Sequence, residues 1–296
     1  MMKLFDWNQM WKDYNDREVE NSKPEFWDSF AAHFRKKAAT EKDPYVELFY
    51  EYSHMKPGDT IFDMGCASGT LAIPYALKGH EIYAADFSKE MLKVLMKGAE
   101  EAGVEDRIHP IHLDWNEDWS KRDLPKCDVA ISSRALIFED LTSSLKKLES
   151  VTKNKVCLGV WDLPTRGYDR YLAKAIGYER AGYGTHFYVI NELLERDMMP
   201  ELRFIRSPFR PTKYETREAA INNLRASLQY GLTAEQEEAF ESYCEEHLKF
   251  HSLEDGGEIS ARRDAQGKKE YWQMDHSHMA TIAFIKYNAN FDLGDM

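Results

Sequence analysis

The segment Asp63-Met64-Gly65-Cys66-Ala67-Ser68-Gly69 places a carboxylate two residues ahead of a glycine turn, and a second carboxylate, Asp86, ends the next apolar stretch. Glycines lack a Cβ, so the chain can turn tightly there and a ligand can lie directly on backbone. Turns of this kind at the carboxyl ends of parallel strands are where open α/β sheets bind ligands. An acid closing the second strand can accept two hydrogen bonds from the hydroxyls of a ribose. The spacing therefore points to a nucleoside.

The phosphate cradles are missing. A dinucleotide fingerprint would need glycine at 65, 67 and 70, where Gly65, Ala67 and Thr70 stand. A P-loop opening at Gly65 would need glycine and lysine where the chain has Thr70 and Leu71. Asp63 at the base of the turn would repel a pyrophosphate and suits a cation. S-adenosylmethionine carries a sulfonium, an ammonium and no phosphate, so the electrostatics favour it. Over roughly residues 43–160 and the last strand, the sequence resembles the class I S-adenosylmethionine-dependent methyltransferases. Asp63, Gly65, Cys66, Ala67 and Gly69 stand in a stretch similar to that family's first motif, with Ala67 in place of the usual middle glycine. Asp86-Phe87-Ser88-Lys89-Glu90-Met91 is similar to its ribose-binding segment, which assigns Asp86, Phe87 and Met91 to the cofactor. The resemblance further implies that Asp114 accepts from the adenine amino group, that Trp115 lies against the ring, and that Ser132 and Arg134 flank the methyl-donor end.

Those residues need a scaffold. Short apolar runs at 60–64, 81–85, 107–113, 128–132 and 156–160 alternate with helical patterns, which means βαβ units and a parallel sheet covered on both faces. Further strands are expected at 201–205 and 279–285, giving a doubly wound, mostly parallel seven-stranded α/β sheet. Residues 215–250 read as strongly helical and charged. The domain reading is an N-terminal helical cap over 1–42, a core of 43–213 plus 266–296, and a helical insertion over 214–265. Trp7, Trp11 and Tyr14, then the stripe Phe26, Trp27, Phe30 and Phe34, give the cap an aromatic face that could pack on the core or close over a ligand.

Composition narrows the partners. With 39 basic and 51 acidic side chains in 296 residues the formal charge is −12, which disfavours general affinity for nucleic-acid phosphates. No stretch is apolar enough to span a bilayer, and the beginning has no signal-peptide core. Cys66, Cys127, Cys157 and Cys244 form no CxxC pair, so a reducing cytoplasm is expected. Ser132-Ser133-Arg134-Ala135 stands where an Asn-Pro-Pro-Tyr type motif would mark methylation of base amino groups in DNA or RNA. The expected activity is methyl transfer to a small molecule. The alternatives are a methyltransferase acting on protein and a non-catalytic subunit that binds the cofactor or adenosine, with a dehydrogenase a distant third. Trp161-Asp162 after the fifth strand and Tyr183-Gly184-Thr185-His186 offer further polar groups, and of these His186 is the candidate base. Cys244, His247 and His251 share helical spacing and His276 and His278 lie two apart, but no second ligand cluster supports them and no metal is assigned.

Overall fold

The computed structural model describes residues 5–15, 28, 44–136, 138–161, 169–179, 184–209, 213–228, 231–252, 270–276 and 278–290. Its strands are β1 (Ile61–Met64), β2 (Ile82–Asp86), β3 (Ile108–His112), β4 (Cys127–Ser133), β5 (Thr152–Trp161), β6 (Glu201–Phe209), β7 (Leu248–Ser252), β8 (Glu270–Met274) and β9 (His278–Asn288). The helices are labelled α1 (Trp7–Asn15), α2 (Pro44–Ser53), α3 (Ala72–Leu77), α4 (Lys89–Ala102), α5 (Leu141–Ser150), α6 (Arg170–Ala175), α7 (Thr185–Glu195), α8 (Arg217–Ala226) and α9 (Ala234–His247).

Seven strands form one sheet in the order β3-β2-β1-β4-β5-β9-β6. The pairs β1–β2, β2–β3, β1–β4 and β4–β5 are parallel, and β9 runs antiparallel to β5. All four residues of β1 are buried, as a central strand covered on both faces requires. The order reverses between β1 and β4, the switch point at which loops part and leave a crevice beyond the strand ends. Ser88 starts α4 by accepting the Met91 N–H at 3.1 Å, and Gly103 stops it in the left-handed conformation at φ +67°. Between those signals Met91, Leu92, Leu95 and Ala99 form the buried face.

The chain divides into two compact units. The first takes in residues 1–162, 185–205 and 282–296 and holds most of the sheet. Within it, α1 is tied down by Trp11, which is 2 % exposed and donates its indole N–H to the Phe138 carbonyl at 3.1 Å. Asn8 Oδ1 accepts the Leu141 N–H at 2.8 Å, so α1 also caps the start of α5. The expected stripe of Phe26, Trp27, Phe30 and Phe34 lies outside the described residues.

The second unit takes in 163–184 and 206–281 and has its own core, with Leu172, Leu224, Phe240 and Leu248 at its centre. Residues 215–250 carry the expected helices α8 and α9, but α9 ends at His247, and Leu248–Ser252 is a strand paired antiparallel with Glu270–Met274. The pairing brings Phe250 against Trp272 at 5.5 Å and stacks His251 on Tyr271 at 5.1 Å. Such cross-strand aromatic pairs outweigh the helical bias of the preceding acidic run.

Candidate functional site

Asp63 is the third residue of β1, 2 % exposed, and its Oδ2 has no hydrogen-bond partner among the described residues. Burial first, and the Asp86 charge second, push its pKa up to about 7. Beyond it the chain turns sharply. The N–H groups of Gly65 and Cys66 both donate to the Ala85 carbonyl, at 2.8 and 3.1 Å, which fastens the turn to the end of β2. Gly65 sits at φ +76°, and a Cβ there would lie 2.2 Å from that of Ala135. Gly69 sits at φ +88°, with Leu95 Cδ1 2.4 Å from where its Cβ would be. Both positions demand glycine on two counts, conformation and space.

Asp86 closes the site from β2. Its Oδ2 accepts the Ala67 N–H at 2.9 Å and its Oδ1 accepts the Ser88 N–H at 2.8 Å. One carboxylate thus holds the glycine turn on one side and the start of α4 on the other. Each oxygen keeps a second lone-pair direction for another donor. Burial raises the Asp86 pKa and these two N–H groups lower it, the upward push prevailing. Among the described residues no lysine or arginine pairs with Asp63 or Asp86, and His112 is the one described group whose charge is felt favourably by Asp86. Phe87 is half-buried, and Met91 is 1 % exposed beneath the turn. Cys66 is buried, with its thiol pKa pushed upward by burial and by the two carboxylates.

The ends of β3 and β4 bring up the remaining candidates. Asp114 Oδ1 accepts the Asn116 N–H at 2.8 Å in a tight turn. Trp115 is 4 % exposed, stacked on Trp119 at 5.6 Å, with Phe138 edge-on at 5.0 Å. Its indole N–H donates to the Ala135 carbonyl at 2.9 Å. That bond steadies the same alanine on which Gly65 packs, so Trp115 shapes the turn from behind. Ser132 Oγ is buried with no partner among the described residues. Arg134, at φ +57°, lays its guanidinium 4.3 Å over the Tyr45 ring and 5.9 Å from that of Trp161. Tyr45, whose hydroxyl lies 2.5 Å from Ser133 Oγ, was not visible as a site residue: it sits on α2, well before β1, with no motif around it.

The other candidates stand elsewhere. His186 opens α7 and packs edge-on against Phe204 of β6, at the sheet's outer edge, 5.0 Å between rings. Asp162 and Tyr183 lie outside the described residues, as does the His278 side chain. His251 leaves its expected helical partners Cys244 and His247, because it belongs to β7.

The Ala67 conformation yields a direct test. At φ +47° an L-residue is strained by roughly 1–2 kcal/mol, which glycine would relieve. Glycine also loosens the unfolded chain by about 0.4–1 kcal/mol. Ala67→Gly is therefore expected to raise stability by on the order of 1 kcal/mol in a urea melt; a clear loss would show that the turn is not held as described.

Residues 61–155 match the family model described as methyltransferase domain. An uncharacterized protein of Haemophilus influenzae is 28% identical over 205 residues, 68% of this chain and 75% of that one. The 23S rRNA (uracil(1939)-C(5))-methyltransferase RlmD of Shewanella sediminis is 29% identical over 114 residues, 38% of this chain and 25% of that enzyme. Among solved structures, the geranyl diphosphate C-methyltransferase of Streptomyces coelicolor, in complex with Mg2+, geranyl-S-thiolodiphosphate and S-adenosyl-L-homocysteine, has a TM-score of 0.44 at 11% identity, covering 83% of this chain and 75% of that one.

Proposed function

We propose that this chain, whose residues 61–155 match the methyltransferase-domain model, is a class I S-adenosylmethionine-dependent methyltransferase that transfers the sulfonium methyl group to a small-molecule acceptor by in-line displacement. The observation that carries the reading is Asp63 Oδ2, a buried carboxylate oxygen with no partner among the described residues, at the base of a turn whose sequence has no phosphate-cradle motif. A cationic ligand answers an unpartnered buried acid; a pyrophosphate would aggravate it. Bound there, S-adenosylmethionine supplies a methyl group already activated by positive sulfur. The chain's own tasks are then to orient the donor, align the acceptor and exclude water.

Asp86 takes the ribose hydroxyls on its free lone pairs, and the backbone of Gly65 to Gly69 passes close beneath the nucleoside. Asp114 takes the adenine amino group. Trp115 supports this arrangement through Ala135. Ser132 and Arg134 stand at the donor's amino-acid end, with Arg134 held between Tyr45 and Trp161. The displacement itself demands no protein base unless the nucleophile must lose a proton, and the proposal assigns none to His186.

A small acceptor is favoured by the −12 charge and by Ser132-Ser133-Arg134-Ala135 at the end of β4. The rRNA enzyme's likeness spans 38% of the chain, too little to bring its substrate along. Four free, buried cysteines suit a reducing cytoplasm, and among the described residues no helix is long and apolar enough to cross a membrane.

Incubation of the full chain with methyl-tritiated S-adenosylmethionine and fractionated cell extract tests the reading. Label is expected in the small-molecule fraction. Label in protein or RNA would replace the acceptor class, and saturable binding with no labelled product in any fraction would favour the non-catalytic subunit.

A further inference from the structure

The second unit carries a constellation that methyl transfer does not use. His247 closes α9, and its carbonyl accepts the Asp275 N–H at 2.8 Å. This backbone bond sets the turn after β8 against the end of α9. Asp275 Oδ1 then lies 3.1 Å from His247 Nδ1 and 3.1 Å from His276 Nδ1. The ligand atoms of the three residues all lie within 4.8 Å of one another. Donors about 2.0–2.1 Å from a tetrahedral ion are roughly 3.3 Å apart, close to the two separations seen here.

A second observation comes from behind His276. Its other ring nitrogen, Nε2, is 3.0 Å from Oδ2 of Asp169, whose side chain is 4 % exposed. Asp169 is fixed in turn, because its Oδ1 accepts the Tyr171 and Leu172 N–H groups at 2.8 and 3.1 Å. The Tyr243 hydroxyl, 3.3 Å from the same Nε2, completes the surround. A neutral imidazole has one proton for two nitrogens, yet each nitrogen of His276 faces a carboxylate, which can only accept. With Nε2–H donated to Asp169, Nδ1 points its lone pair at Asp275. In that tautomer two acceptors face each other at 3.1 Å, an arrangement that a metal ion bound by both atoms satisfies. A buried carboxylate on the far nitrogen is also the usual partner of a metal-bound histidine, fixing its tautomer and ring plane.

We propose that His247, Asp275 and His276 bind one divalent transition-metal ion, with Asp169 positioning His276 for it. Two imidazoles and a carboxylate suit zinc and its first-row neighbours better than magnesium or calcium, which prefer oxygen alone. Three protein ligands leave a position for water. The ion would join the end of α9 to the turn before β9 and, through Asp169, to the start of α6. These three places are far apart in sequence and belong to a unit with a small core, so the site acts as a staple. The proposal is independent of the methyl-transfer reading.

The full chain, freed of metal with a chelator and checked by circular dichroism, is titrated with zinc(II) by calorimetry and with cobalt(II) by visible absorption. One equivalent of each is expected to bind, with cobalt(II) bands of low-coordinate geometry and a higher melting temperature once zinc is added. Asp275→Ala should abolish binding and the thermal shift. Asp169→Asn keeps the acceptor that caps α6 and should weaken zinc by 10–100-fold. His251→Gln should change nothing. A rival resolution, a second proton on His276, predicts no saturable uptake of either ion. That result, or binding that survives Asp275→Ala, overturns the assignment.

Discussion

Replacing Asp63 by asparagine is expected to stabilise the ligand-free protein at pH 8 while weakening S-adenosylmethionine. The buried carboxyl has its pKa pushed up from 3.8 to about 7. Between those two values the folded chain holds a proton that the unfolded chain has released. Stability therefore falls as pH rises from about 4 to about 7, by at most about 4 kcal/mol at roughly 1.4 kcal/mol per unit. Asparagine has no charge to desolvate and removes this slope, but its buried amide must find partners, at a cost of about 1–3 kcal/mol. The net gain at pH 8 should be on the order of 1–3 kcal/mol, read from urea melts at pH 5 and pH 8. Binding runs the opposite way. The cationic ligand needs the ionised form, so wild-type affinity should rise as pH climbs through 7, and the asparagine variant should bind about 10–150-fold more weakly at pH 8. Equal pH slopes in the two proteins would show that Asp63 is not the titrating group. Both results together would make the residue a case of stability given up for a ligand.

What was legible in the sequence follows from the range of the interactions involved. Asp63, Gly65, Gly69 and Asp86 fall within 24 residues, and the turn they build is local: the same atoms that make the pattern make the hydrogen bonds to Ala67 and Ala85. The central strands β1 and β4 were plain because a parallel sheet covered on both faces leaves continuous apolar runs, whereas β3, at the sheet edge, mixes buried and exposed residues. Tyr45 was hidden because its role depends on where α2 lies across the sheet, which no spacing records. Trp115, which the resemblance sets against the adenine ring, is hard to read from sequence for a different reason. An indole serves equally as a ligand platform and as core with a polar tip, and only the bond to the Ala135 carbonyl shows the second use. In the second unit, spacings of three and four grouped Cys244 and His251 with His247, yet the helix stops at His247. The acid that joins His247 to His276 is Asp275, twenty-eight residues onward and part of no helical pattern.

Asp86→Ala is expected to weaken S-adenosylmethionine by about 2–4 kcal/mol, roughly 30–1000-fold in a calorimetric titration. Two losses combine in that figure. The ribose loses its charged acceptor, and the N–H groups of Ala67 and Ser88 lose the carboxylate that holds turn and helix in register. Weak binding alone cannot separate them, since a slackened turn would also bind poorly. A cycle with a ligand lacking both ribose hydroxyls does. For the wild type, removing the hydroxyls should cost most of the same energy; for the alanine variant it should cost little, because their acceptor has already gone. Asp86→Asn sharpens the comparison by keeping one carbonyl oxygen to hold one N–H while offering an amide donor to the other. It should fold more stably than alanine yet discriminate the hydroxyls little better. If the alanine variant distinguished the two ligands as well as the wild type does, the hydroxyls would be bound elsewhere and Asp86 would be a fastening for the turn alone.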